Sequence, residues 1–211
     1  MKIIAVLNQK GGSSKTTIAT HLARALQLDG RQVVLVDSDP QGSARDWAAV
    51  DEANPVPVVG LDRPTLDRDV RALHGYDIAV IDGAPQTSAL ATAALRCADL
   101  VLIPAQPSPY DVWAASELVD LVKQRQAIAD GRPAAAFIVS RAIVGTRLGA
   151  EIEQTLTEYG LPVLHTAIHQ RVDYPSSAAA GKTVFDSDAS GKAASEVREL
   201  AKEVLTLLET P

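Results

Sequence analysis

The sequence predicts an α/β fold: a doubly wound, mostly parallel sheet flanked by helices, formed by a single domain. Three observations carry that expectation. Apolar runs of strand length alternate with segments of helical period along the chain. Most of those runs are apolar at every position, as strands covered on both faces should be. A glycine-rich loop joins the first run to the first helical segment, the usual ligand-holding place in such sheets. With 211 residues, one core can bury roughly 70% of the unfolded chain's surface, so one domain over 1–211 is expected.

The elements follow in order. Residues 2–7 (KIIAVL) read as the first strand and 16–28 as an amphipathic helix. Strands are then expected at 32–36, 56–60, 76–81, 100–104, 134–140 and 163–168, each an apolar run bounded by turn residues. Helices are expected between them at 43–50, 65–73, 88–97, 112–129 and 147–159, and a last one at 193–208. Gly131 and Pro133 mark the break between the long helix and the strand after it. Residues 169–185 turn to Gln, Arg, Ser, Ala and Gly with little periodicity. The chain shows no internal repeat, low-complexity tract or long linker.

Composition narrows the class. The 46% hydrophobic content with 4% aromatics describes an Ala/Val/Leu-rich interior. No window approaches the ~18 uncharged apolar residues of a membrane span, and no secretory leader is read, so a cytoplasmic location is expected. The single cysteine, Cys97, cannot form an internal disulfide and is expected in the core. A net charge of −6 argues against a globally basic nucleic-acid coat. His21, His74, His165 and His169 show no metal-ligand spacing.

Three strand ends carry chemistry. The first leads into Lys10-Gly11-Gly12-Ser13-Ser14-Lys15-Thr16-Thr17. Glycines there let backbone N–H groups curl around a phosphate, and the helix N-terminus adds about half a positive charge. Lys15 is expected to reach the β- and γ-phosphates and the Thr16 hydroxyl to sit on Mg²⁺. The second strand ends in Asp37-Ser38-Asp39-Pro40-Gln41-Gly42. Two carboxylates spaced two apart suggest metal ligation and positioning of an attacking water; the plainer alternative is that Asp39-Pro40 starts a turn. The third is the run 78–81 followed by Asp82, the place of a Mg²⁺-organising aspartate.

Taken together, these motifs resemble the deviant Walker A ATPases of the ParA/MinD superfamily, and within it the small plasmid-partition ParA type (ParF-like). That family's pattern is matched at Lys10 to Thr17, at Val36 to Gln41 and at Ile78 to Asp82. Two further stretches also match: Pro104-Ala105-Gln106-Pro107-Ser108-Pro109-Tyr110-Asp111 and Gly181-Lys182-Thr183-Val184-Phe185. The resemblance covers essentially the whole chain. The amino-terminal helix-turn-helix extension of larger relatives is not expected, since the sheet begins at residue 2.

The resemblance implies a set of roles. Lys10 would be the signature lysine, crossing an ATP-sandwiched homodimer to the partner's nucleotide, while Lys15 binds phosphate in its own subunit. Asp39 would orient the hydrolytic water, with Asp37 nearby and Asp82 holding Mg²⁺ through water. Arg171 is carried over to the adenine side of the pocket, and the proline-rich segment to the partner subunit. The implied function is a slow, partner-stimulated ATPase switch. As an ATP dimer it would bind DNA nonspecifically, associate with the nucleoid, and position or segregate DNA or another cargo through a ParB-like adaptor.

Alternatives on the same fold are a MinD-like membrane-associated ATPase and a small-molecule synthetase. No linear basic stripe supports DNA contact: from residue 161 on, Arg171, Lys182, Lys192, Arg198 and Lys202 face seven acids, with Arg141 and Arg147 as further candidates. The last helix has an apolar stripe but a mixed polar face, which favours packing on the sheet over lipid binding. Ser14 departs from the family's glycine. A Cβ in a φ > 0 conformation costs about 1–2 kcal/mol, which would weaken nucleotide affinity roughly tenfold. Three readings stay open for it: a tolerated variant, a slowed hydrolysis site, or a loop altered to trap one state.

Overall fold

The computed structural model describes residues 1–85, 89–145 and 148–209. Seven strands form one parallel sheet: β1 (Lys2–Val6), β2 (Val33–Asp37), β3 (Val58–Gly60), β4 (Ile78–Asp82), β5 (Leu100–Ala105), β6 (Ala134–Ala142) and β7 (Ile168–His169). Their spatial order is β3-β2-β4-β1-β5-β6-β7, which puts β1 at the centre and β4 beside it. Register then does the positioning. Val6 pairs with Asp82, and Asp82 with Asp37, so the ends of β1, β4 and β2 lie level at one edge.

Helices cover both faces, which is why the strand interiors are mostly apolar. Alternate residues of a strand point to opposite sides. Ile4, Val6, Leu35, Val80 and Leu102 pack under α1 (Lys15–Leu28), α2 (Ser43–Ala49) and α9 (Lys192–Glu209). Ile3, Ala5, Val34, Ile81 and Ile103 pack under α3 (Leu66–Asp69), α4 (Ala89–Cys97), α5 (Pro109–Ala127) and α6 (Leu148–Thr157). Cys97 is buried as expected, and burial pushes its thiol up to about 11. The stripe Val197, Leu200, Ala201, Val204 and Leu208 of α9 is buried against the sheet. Among the described residues no helix is long and apolar enough to cross a membrane.

The largest departure from expectation is the strand at 163–168. Val163 makes only an isolated bridge with Phe137, and pairing resumes at Ile168–His169. Between them the amides of His165 and Thr166 donate to the Glu203 carboxylate of α9, at 2.9 and 2.8 Å, instead of to β6. Opposite this gap the β6 ladder is irregular between Ser140 and Ala142, where Arg141 has φ 53°.

The segment without clear period holds two short helices, α7 (Asp173–Ala179) and α8 (Val184–Ser187), the second capped reciprocally by Thr183 and Asp186. α5 begins at Pro109, three residues earlier than the periodicity indicates, with proline at the helix start where its missing N–H is harmless. The expected helix starts at 88 and 147 lie outside the described residues.

Candidate functional site

The loop after β1 has the conformation that an anion cradle needs. Gly12 and Ser14 are both left-handed, with φ 74° and 72°, and Ser14 is the residue from which α1 starts. Among the described residues, no amide N–H from Gly11 to Thr17 makes a well-formed hydrogen bond, so the donors are open to a ligand. An added Cβ at Gly11 or Gly12 would meet nothing within 4 Å, the mark of open space on that side. Lys15 is buried, and its ammonium donates to Lys10 O at 3.1 Å, closing the loop on itself. Burial lowers its pKa, while Asp82 and Asp39 pull the other way.

Three acids stand at the adjoining strand ends in different environments. Asp82 is 1% exposed. Its Oδ2 accepts from Thr16 Oγ1 at 2.7 Å, and its Oδ1 is buried with no hydrogen-bond partner. Asp37 is fully buried and already engaged: Oδ1 accepts from Asp39 N, and Oδ2 from Arg45 N and Nε, at 3.1, 2.9 and 3.3 Å. These bonds brace the turn that carries Asp39 and take three of the carboxylate's roughly four acceptor sites. Asp39 is half-buried, with Oδ1 accepting from Gln41 N at 2.9 Å. No group of three His, Cys, Asp or Glu among the described residues could hold a metal alone. Thr16 and the open oxygen of Asp82 instead suit Mg²⁺, which takes one or two protein ligands plus phosphate oxygens and water.

Lys10 stands apart from this group. Its ammonium is paired with Asp111 Oδ2 at 2.7 Å, in the first turn of α5. Two other bonds tie the proline-rich connection to the loop: Asn8 Nδ2 donates to Pro104 O at 2.5 Å and Gln106 Nε2 to Gly12 O at 2.7 Å.

A cavity of about 670 Å³ opens over the loop, within the range of small-molecule sites. Residues 11–17, Asp39 and Ser43 form one side; Arg141, Gln170, Arg171 and Pro175 form the other. Arg171 lines it and gives its guanidinium to Glu196, which also accepts from His169 Nδ1 at 2.8 Å and Tyr174 OH at 3.3 Å. The cluster anchors this wall to α9. Arg141 also lines the cavity, and Arg147 lies outside the described residues. The 181–185 segment supports α2 from outside: Trp47 Nε1 donates to Lys182 O at 3.1 Å, and a Cβ at Gly181 would strike Asp51 N at 2.8 Å.

Sequence reasoning missed Arg45, Asp111 and Glu196 as site-building residues. Asp111 ends the matched 104–111 stretch, but the resemblance assigns that segment to the partner subunit and not to Lys10. Nothing local to Arg45 or Glu196 distinguishes them from surface charges.

Residues 4–184 match the model of the CobQ/CobB/MinD/ParA nucleotide binding domain. The chain is 31% identical over 208 residues to maintenance of carboxysome distribution protein A of Halothiobacillus neapolitanus, covering 96% of this chain and 95% of the relative. It is 29% identical over 239 residues to the chromosome-partitioning ATPase Soj of Thermus thermophilus, covering 98% and 96%. The septum site-determining protein MinD of Pyrococcus horikoshii, solved with Mg-ADP, superposes with a TM-score of 0.79 at 20% identity, covering 99% of this chain and 97% of that one. The open amide cradle and the level ends of β1, β2 and β4 are thus those of a family, and the chain belongs to the CobQ/CobB/MinD/ParA nucleotide-binding domains as a ParA/MinD-type deviant Walker A ATPase.

Proposed function

We propose that this protein is an ATP-dependent dimerising switch that hydrolyses ATP slowly and uses the ATP-bound dimer to position a cargo. The observation that carries the reading is convergence. The open amides of residues 11–17 and Asp39 line one cavity, with Asp82 bonded to Thr16 at its foot, while Lys10 is held outside the group of lining residues. Lys15 and the amide cradle would hold the phosphates. Thr16 and Asp82 would hold Mg²⁺, which shields the phosphate charge when bound, and Asp39 would orient the attacking water. Lys10, paired with Asp111 and not among the residues that line the cavity, is left to reach a facing subunit.

The names of the relatives support the cargo class. One distributes carboxysomes and one partitions chromosomes, and both tasks suit a motor that binds DNA nonspecifically as a dimer and is triggered by a cargo-bound, ParB-like adaptor. The acidic balance of the chain argues against a globally basic coat, so DNA affinity would come from basic residues contributed by both subunits, and it should fall steeply with salt.

Light scattering after size exclusion tests the switch. ATP with Mg²⁺ should convert monomer to dimer, and Lys10→Ala should stay monomeric; a monomer under all conditions overturns the reading. DNA retention over a series of salt concentrations tests the second step. Binding that is independent of ATP, or retention on anionic vesicles in its place, rejects the DNA assignment.

A further inference from the structure

We propose that Asp111 is a positioning residue for Lys10. It holds the ammonium in its own subunit and thereby makes closure of two chains depend on the third phosphate of ATP. This rests on the reading above, in which Lys10 serves the facing subunit's nucleotide.

The argument starts from an asymmetry within the pair. The side chain of Lys10 is 40% exposed and that of Asp111 is 2% exposed. Asp111 Oδ1 is buried without a hydrogen-bond partner, so Oδ2 with Lys10 is the carboxylate's one salt bridge among the described residues. When Lys10 leaves, the ammonium regains water or meets phosphate; the carboxylate gains neither. A buried charge stripped of its partner is costly.

Nor can the carboxylate follow the lysine. Asp111 sits in the first turn of α5, which Pro109 opens with a fixed φ. Asn8 and Gln106 pin the segment before it to the phosphate loop. The positive end of the α5 dipole then compensates it in part. The pair thus acts as a brake. A facing triphosphate presents more negative charge to Lys10 than a diphosphate does, so the brake is released for ATP and holds for ADP.

The test is sedimentation of wild type, Asp111→Asn, Asp111→Glu and Lys10→Ala with Mg²⁺ and either a slowly hydrolysed ATP analogue or ADP. Asp111→Asn should lower the dimer Kd with the ATP analogue by about tenfold, which is 1.4 kcal/mol. It should also dimerise with ADP at concentrations where wild type is monomeric. Affinity of the dilute monomer for a fluorescent ATP should stay within about twofold, a split that a merely structural role would not give. Asp111→Glu should restore the discrimination.

An unchanged or weakened dimer in Asp111→Asn, or one still confined to the ATP analogue, overturns the proposal. So does loss of cooperative melting in both Asp111→Asn and Asp111→Ser, because a carboxylate required for folding is not a brake. Lys10→Ala separates the two levels: if it dimerises like wild type, the shared-site reading itself has failed.

Discussion

Thr16 Oγ1 donates to Asp82 Oδ2 at 2.7 Å, tying the first turn of α1 to the end of β4, while the other oxygen of Asp82 is buried and unpartnered. Burial pushes this carboxyl up to about 7 against the Thr16 hydrogen bond and the Lys15 charge, with Asp37 and Asp39 adding to the rise. The folded protein therefore keeps a proton between about pH 4 and 7 that the unfolded chain gives up, so stability falls as pH rises through that window and levels off above it. Asp82→Asn lacks this slope. Denaturant titrations of the nucleotide-free protein should show the variant gaining roughly 2–3 kcal/mol on wild type between pH 5 and 8, with loss of Mg²⁺-dependent ATP binding. A difference independent of pH would contradict the raised carboxyl.

His21 predicts the opposite slope. It lies buried in α1, with Nδ1 2.8 Å from Thr17 O, Nε2 unpartnered, and its ring edge-on to Tyr174 at 5.1 Å. Since a carbonyl only accepts, Nδ1 carries the proton and the ring is neutral. Burial lowers its pKa to about 4 from 6.5. Its contribution is present above pH 6.5 and is lost as pH falls toward 4, worth roughly 3 kcal/mol at the limit. His21→Leu should abolish that loss. Because Asp82 acts in the reverse sense over an overlapping window, wild type alone should look nearly flat. Each group is read as a difference between wild type and its own variant.

Asp39→Ala should separate binding from hydrolysis. Asp39 lines the cavity on the turn braced by Asp37 and Arg45, and among the described residues none of its hydrogen bonds reaches the phosphate loop. The variant should keep ATP affinity within about threefold and lose turnover by about 100-fold or more, the usual scale for a positioned base or water-orienting group. Single-turnover phosphate release measures it; normal turnover would remove Asp39 from the chemistry.

The parts of this molecule legible in its sequence are those whose cause is local or periodic. β1, β2, β4 and β5 are apolar at their buried positions up to the acids that end β2 and β4 because both faces are covered, and Lys15, Thr16 and Asp82 stand at spacings set by the loop and by strand ends. What escaped has its cause far along the chain. Glu203 takes the amides that β6 would have paired, and Arg24 of α1 reaches Asp186 of α8 from 162 residues away. The partner of Lys10 lies 101 residues away. No window of sequence contains both members of such a pair.

Ser14 gives the last prediction, and the structure alters the expectation attached to it. The residue does adopt the left-handed conformation, φ 72° and ψ 18°, and its side chain makes no capping bond to offset the cost. Ser14 is the residue from which α1 starts, and its carbonyl accepts from Ile18 N at 2.9 Å, so the conformation belongs to the helix start and its cost is assigned to folding and not to binding. Ser14→Gly should then stabilise the protein by about 0.5–1 kcal/mol: relief of about 1–2 kcal/mol of strain, less the entropy that glycine adds to the unfolded chain. ATP affinity should move by less than about threefold, not the tenfold expected from the strain alone. Parallel denaturant and fluorescent-ATP titrations on the two proteins decide it. Tightening near tenfold with unchanged stability would show that nucleotide forces the loop into this shape; the predicted pattern favours a tolerated variant over a loop altered to trap one state.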